Sequence, residues 1–342
     1  NNVDGSYNVA VGRNALLNTT GVSYAVGIGY DALKNNTNNY AIGIGYNALK
    51  ANTSGSGNIA IGGSALQSNT TGNSNVAIGN RALNPNTTGY PNTALGRDTL
   101  YYNVTGANNT AIGRSALQNN TSSSNTAVGQ SALFSNTTAS NNTVVGHAAG
   151  DALTTGVSNV AVGSGALGAA TTSYDNVALG NAAMGNATAV NSVGIGHGAL
   201  QNSTAHNIVA VGKFALQNNT SGNQTTAVGA FALDANTSGN NNTAVGYNAL
   251  TTNQTGATNT AVGVLALEDC TGSDNTAVGG FAGSDISSGT RNTALGYAAC
   301  DAVTTGSDNI GIGYNGCGAI TSGVSNIGIG RNTLNTTSTS SH

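Results

Sequence analysis

Short apolar bursts separated by runs of Asn, Thr, Ser and Gly recur along the whole chain, and the phrase Asn109-Thr110-Ala111-Ile112-Gly113-Arg114-Ser115-Ala116-Leu117 is representative. The glycine closing the Asn-Thr-Ala-Val-Gly phrase serves as a marker. It returns at Gly12, Gly29, Gly45, Gly62, Gly79, Gly96, Gly113, Gly129, Gly146, Gly163, Gly180, Gly196, Gly212, Gly229, Gly246, Gly263, Gly279, Gly296, Gly313 and Gly330, always 16 or 17 residues from the next. Each period holds two bursts, Thr/Val-Ala-Val/Ile before the marker and Ala-Leu after it. Neither has the spacing of a helix face, and the first alternates as a short strand does. A unit this small buries no apolar face alone and must stack on its neighbours. Each unit therefore predicts one coil of an all-β, parallel β-solenoid of about 20 coils, roughly 95 Å long at the ordinary strand spacing.

The unbroken period predicts a single continuous solenoid domain over residues 1–335 and a Ser/Thr-rich tail over 336–342. The chain opens inside a repeat and shows no capping unit at either end, so both ends read as cut from something longer.

Register sets the next expectations. The residue before each marker is always Val, Ile or Leu, and predicts a core position facing the Leu that stands four after the marker in most units, with Met184 as a substitute. The residue two before the marker is Ala or Gly in every unit except Val144. Alternation along a strand turns it to the opposite face, and its restriction to the smallest side chains predicts close approach by another copy of the chain. Ala10, Ala60, Ala77, Ala94, Ala111, Ala127 and Ala161 are the candidate subunit contacts on this reading. The residues leave one alternative open, in which alanine faces a very thin coil interior and Val/Ile makes the subunit contact. Asn four before the marker, as at Asn58, Asn75 and Asn92, predicts an amide ladder from coil to coil. The Asn-Thr-Thr-Gly segments at 18–21, 69–72 and 86–89 predict outer turns.

Asn-x-Ala-Val/Ile-Gly followed by a small residue resembles the head repeat of trimeric autotransporter adhesins, the YadA-type left-handed parallel β-roll, and equally the matching repeats of bacteriophage tail fibres. The resemblance covers essentially the whole chain. The longer period and the Ala-Leu plus Asn-Thr-Thr-Gly half depart from the adhesin pattern towards tail-fibre-like proteins. What the resemblance implies is a left-handed roll assembled as a homotrimer, extracellular, at a cell surface or on a virion fibre, displaying binding surfaces to a host-surface glycan or protein. Two other readings come from the residues. Low charge and missing caps suggest a self-assembling extracellular filament subunit that stacks head to tail. The ladder of Thr93, Thr110, Thr126 and Thr143 suggests an ice-binding solenoid, although the double Thr-x-Thr rank is missing.

Composition narrows the function classes. Charged residues make up 6% of the chain and the net charge is -3, so no basic stripe exists to hold nucleic acid. No run of 18 apolar residues is present, and no membrane insertion by this segment is expected. Four His and twelve acids show no regular pairing, and there is neither a nucleophile elbow nor a phosphate loop, so no enzyme activity, cofactor or metal is expected.

The variable residue just after the marker forms one ridge down the coils. Arg13, Tyr30, Tyr46, Arg97, Arg114, Gln130, His147, His197, Lys213, Tyr247, Tyr297, Tyr314 and Arg331 stand there. They make up a candidate contact surface, with Tyr30/Tyr46 and Tyr297/Tyr314 placed to stack on adjacent coils. Phe214, Phe231 and Phe281, two after their markers, predict an apolar strip used in subunit packing. Cys300 and Cys317 replace the Leu of consecutive coils and are expected as buried thiols within disulfide reach, whereas Cys270 is expected in an outer turn.

Overall fold

The computed structural model describes residues 4–335, and the tail expected over 336–342 lies outside the described residues. The chain divides into two compact units, Asn1–Tyr174 and Asp175–His342. The first holds β1 (Val9–Val11), β2 (Val26–Ile28), β3 (Ile42–Ile44), β4 (Ile59–Ile61), β5 (Val76–Ile78), β6 (Asn92–Leu95), β7 (Asn109–Ile112), β8 (Thr126–Val128), β9 (Thr143–Val145) and β10 (Val160–Val162). The second holds β11 (Val177–Leu179), β12 (Val193–Ile195), β13 (Val209–Val211), β14 (Thr226–Val228), β15 (Thr243–Val245), β16 (Thr260–Val262), β17 (Thr276–Val278), β18 (Thr293–Leu295), β19 (Ile310–Ile312) and β20 (Ile327–Ile329). Within each unit every strand pairs in parallel with the next, one coil per repeat, and the repeat positions stay in register, as in Ile59↔Val76 and Thr226↔Thr243. No helix forms among the described residues. The fold is an all-β parallel solenoid.

Hydrogen bonds join coil to coil on the strand side and on the turn side alike. Gly62 N–H donates to the Ile44 carbonyl at 2.7 Å, Ser64 N–H to Tyr46 at 2.7 Å, and Leu49 N–H to Ala65 at 3.1 Å. The backbone reaches these partners through left-handed residues at fixed places. The Leu four after each marker sits at φ between +47° and +57°. That costs about 1 kcal/mol per residue, less than the roughly 1.5–3 kcal/mol that burying a leucine contributes. The marker glycines sit at φ between +113° and +145°, where a side chain is strained. A Cβ on Gly45 would lie 2.5 Å from the Gly62 carbonyl oxygen, so close approach of successive coils excludes any other residue.

The strand faces are reversed relative to the first of the two register readings. Ala60, Ala77, Ala94, Ala111, Ala127 and Ala161 are fully buried inside their own coils and are closed to a second chain, while Ala10 is exposed on β1, which has a partner strand on one side only. The Val/Ile residues flanking the alanine point outward, giving an intermediate-buried-intermediate pattern in β2 to β5. Interior thickness is the reason. A Cβ built on Gly43 lies 2.9 Å from Leu33 Cγ and 3.1 Å from the Ala48 carbonyl oxygen, which leaves room for a methyl group only where the leucine gives slightly. The leucine ladder faces alanine, not valine.

Two more expectations are corrected. The 69–72 and 86–89 segments are not wholly outer turns, because Asn69 and Asn86, seven after their markers, are fully buried. Their amides form a second ladder, Asn69 Nδ2 to Asn52 Oδ1 at 2.7 Å and Asn86 Nδ2 to Asn69 Oδ1 at 2.8 Å, and each also donates to the carbonyl of the glycine three residues on. In the 18–21 segment Asn18 is exposed and Thr19 takes the buried place. Cys270 occupies this same inner register and is fully buried, not in an outer turn, so burial pushes its thiol up to about 11. The ladder expected four before the marker is present, and it runs buried through Asn58, Asn75 and Asn92.

Candidate functional site

The marker glycine turns the chain out of the strand and throws the next side chain outward. Arg13, Tyr30, Tyr46, Arg97, Arg114, Gln130, His147, His197, Lys213, Tyr247, Tyr297, Tyr314 and Arg331 are all exposed. Parallel in-register stacking brings ridge neighbours of adjacent coils face to face. Tyr30 and Tyr46 stack with centroids 5.5 Å apart and planes at 16°, and Tyr297 and Tyr314 at 5.5 Å and 13°.

The phenylalanines two after the marker join these columns from the side. Phe214 lies 4.9 Å from the His197 ring and 5.7 Å from Phe231, and Phe231 meets Tyr247 edge-on at 6.2 Å. Phe281 meets Tyr297 at 5.6 Å. Phe214 and Phe231 are half-buried and Phe281 is exposed. His147 and His197 lie in different units, and Arg97 is turned to Asp98 at 3.1 Å.

A second tyrosine column stands at another register, outside the positions that the sequence pattern singles out. Tyr7, Tyr24 and Tyr40 stand five before their markers, at φ near +60°, and stack with centroids 5.1 and 5.2 Å apart. Their shared register in three successive coils was the available signal.

Some of the charged groups are paired. Lys50 lies 2.8 Å from Asp31, whose carboxyl is held down to about 2 by that contact first and then by the Asn14 amide. Arg291 grips Asp308 through two bonds of 2.7 and 2.9 Å, which lowers the aspartate and raises the guanidinium. Asp151, Asp234 and Asp301 sit five after their markers, and partial burial raises all three carboxyls.

Cys300 and Cys317 are free and buried; the neighbouring Cys317 side chain, together with burial, drives the Cys300 thiol upward. Among the described residues, no group of three or more His, Cys, Asp or Glu is placed to hold a metal, and no helix is long and apolar enough to cross a membrane.

No protein-family model matches the chain, and no curated protein matches it. The fold itself defines the class, a parallel β-solenoid repeat protein with one coil per 16 or 17 residues.

Proposed function

We propose that the chain is a non-catalytic, structural and adhesive segment of an extracellular fibre, the head or shaft of a homotrimeric surface adhesin or phage tail fibre. One observation carries the reading. With the coil interior closed by Ala against Leu, each strand still presents two branched or apolar side chains outward. Val145, Val160 and Val162 in the first unit are 36%, 37% and 39% exposed, and Val209, Val245 and Val278 in the second 37%, 36% and 41%. Ranks of this kind along a whole sheet face are larger than the isolated apolar residues a solvated surface carries, and they fit burial against the same face of sister chains. The repeat's resemblance to trimeric β-rolls supports the number three. The exposed ring ridge lies outside this face in sequence register and is left to contact a ligand.

Sedimentation equilibrium tests the reading. The expected species has three times the chain mass of 33.4 kDa. Replacing Val145 and Val162 by Lys puts charge into the proposed interface at positions that already tolerate solvent, so the double variant is expected to keep its β circular dichroism and sediment as a monomer. A monomeric parent chain, or a trimer indifferent to both lysines, overturns the proposal.

A further inference from the structure

Two clefts in the second unit repeat one arrangement at one register. In each, a Phe two after a marker meets the Tyr one after the next marker, Phe231 with Tyr247 at 6.2 Å and 88°, Phe281 with Tyr297 at 5.6 Å and 62°. Each cleft also carries an aspartate five after a marker, Asp234 on the coil of Phe231 in the one and Asp301 on the coil of Tyr297 in the other. The larger cleft, about 370 Å³, adds Tyr314 stacked on Tyr297 and a second carboxylate, Asp285. None of the ion pairs among the described residues involves Asp234, Asp285 or Asp301. Asp285 accepts one hydrogen bond, from the Ser284 hydroxyl at 3.3 Å, and its charge adds to the burial that raises the Asp301 carboxyl.

The chain itself shows what these ring columns accept. The Arg13 guanidinium lies 5.7 Å over Tyr30, the Lys213 nitrogen 5.1 and 5.7 Å from Phe214 and Phe231, and the Arg331 guanidinium 5.4 Å over Tyr314. Each of the three ring columns along the ridge thus holds one of the chain's own cations. Between Phe281 and Tyr314 the rings meet two carboxylates and no basic side chain lines the cleft.

We propose that the cleft formed by Phe281, Asp285, Tyr297, Asp301, Tyr314 and Asn315 binds an organic ammonium ion, with its alkyl groups on the rings and its charge between the carboxylates. Ring faces and carboxylates both favour positive charge. A small inorganic cation gains little from aromatic walls because its hydration shell stays on. A neutral sugar stacks on the rings but leaves two like charges facing each other uncompensated. The smaller cleft at Asp234 has two of the three rings, Phe231 and Tyr247, and one carboxylate, and binds the same ions more weakly. Quaternary ammonium headgroups and primary alkylammonium groups share this chemistry.

Saturation-transfer NMR and calorimetric titration of the full chain with choline, n-butylammonium and methyl β-glucoside, at constant ionic strength, distinguish the cases. Saturable binding of choline marks the quaternary source and of n-butylammonium the primary one; either supports the site. The Asp285→Asn/Asp301→Asn double variant keeps side-chain size and is expected to weaken ammonium binding about tenfold or more, with circular dichroism unchanged. Tyr297→Leu is expected to weaken it as well; should that variant lose its fold, the isosteric pair decides. Absence of saturable ammonium binding, binding of the glucoside in its place, or unchanged affinity in the double Asn variant overturns the assignment.

Discussion

Asn75 meets Asn58 twice: its backbone N–H donates to Asn58 Oδ1 at 2.9 Å, and its side-chain amide donates to the same oxygen at 3.2 Å. The amide also donates to the Gly89 carbonyl at 3.0 Å, and Asn92 repeats the contact one coil on, its N–H donating to Asn75 Oδ1 at 2.9 Å. Asn75→Ala therefore strands the Asn92 N–H in a buried place, at about 1–3 kcal/mol, while the Gly89 carbonyl keeps the Asn86 amide at 3.1 Å. Asn75→Asp is expected to be worse at neutral pH, since a carboxylate turned towards Asn58 Oδ1 and the Gly89 carbonyl has no hydrogen to donate. Hydrogen-exchange mass spectrometry is expected to show faster exchange in the coils from Asn58 to Asn92 for both variants. Exchange equal to the parent's would show that the ladder carries no stability.

Two glycines five residues apart are expected to respond oppositely. A Cβ on Gly62, at φ +135°, would lie 2.5 Å from the Gly79 carbonyl oxygen. Gly57, at φ +65°, has only Ser74 Oγ nearby, at 3.7 Å, and Tyr24, Tyr40 and Ser74 hold its register in other coils at φ of 55–60°. Gly62→Ala is expected to cost about 3 kcal/mol or more and Gly57→Asn no more than about 0.5 kcal/mol, read from urea midpoints. Equal shifts would refute the close-approach account of the marker.

The single valine in the alanine ladder comes with its own compensation. Val144 is buried where the Leu four after the marker is replaced by Gly150, whose Cβ would lie 3.6 Å from Val144 Cγ2, and Leu153 fills the inner register that Asn136 holds in the preceding coil. Ala77→Val alone overpacks a closed coil and is expected to cost about 1–3 kcal/mol. Adding Leu83→Gly and Asn86→Leu copies the Val144 coil and is expected to recover most of that loss in thermal denaturation. A triple variant no more stable than the single one would show that the three positions do not share one volume.

Acid stability depends on Asp31. Its carboxyl is held to about 2, against an ordinary value of 3.8, by Lys50, Asn14 and Lys34. The folded value lies below the unfolded one, so this group's contribution is present above about pH 4 and lost as the pH falls from 4 towards 2. Asp31→Asn removes that dependence. Its thermal midpoint is expected to fall less steeply than the parent's across this window, and parallel curves would assign the acid loss to other groups.

Much of the architecture was legible in the residue pattern. A 16- or 17-residue beat with no helical spacing leaves stacked parallel coils as the solution that buries its apolar bursts, and the Asn58–Asn75–Asn92 register announced its ladder because one amide both donates and accepts. The outward ridge was legible too, since a position that takes Arg, Tyr, His and Lys in turn fits solvent. Which strand face lies inside was not legible. Ala and Val/Ile alternate with period two, and that pattern is unchanged when the strand is turned over. Only the folded cross-section breaks the tie, because the left-handed leucines bring the far wall so near the strand that a methyl fits and an isopropyl does not without a glycine to receive it. The second amide ladder is not legible in the sequence either. Asn69 and Asn86 are polar, as an outer turn would be, and only coil-to-coil partners at 2.7 and 2.8 Å make their burial tolerable.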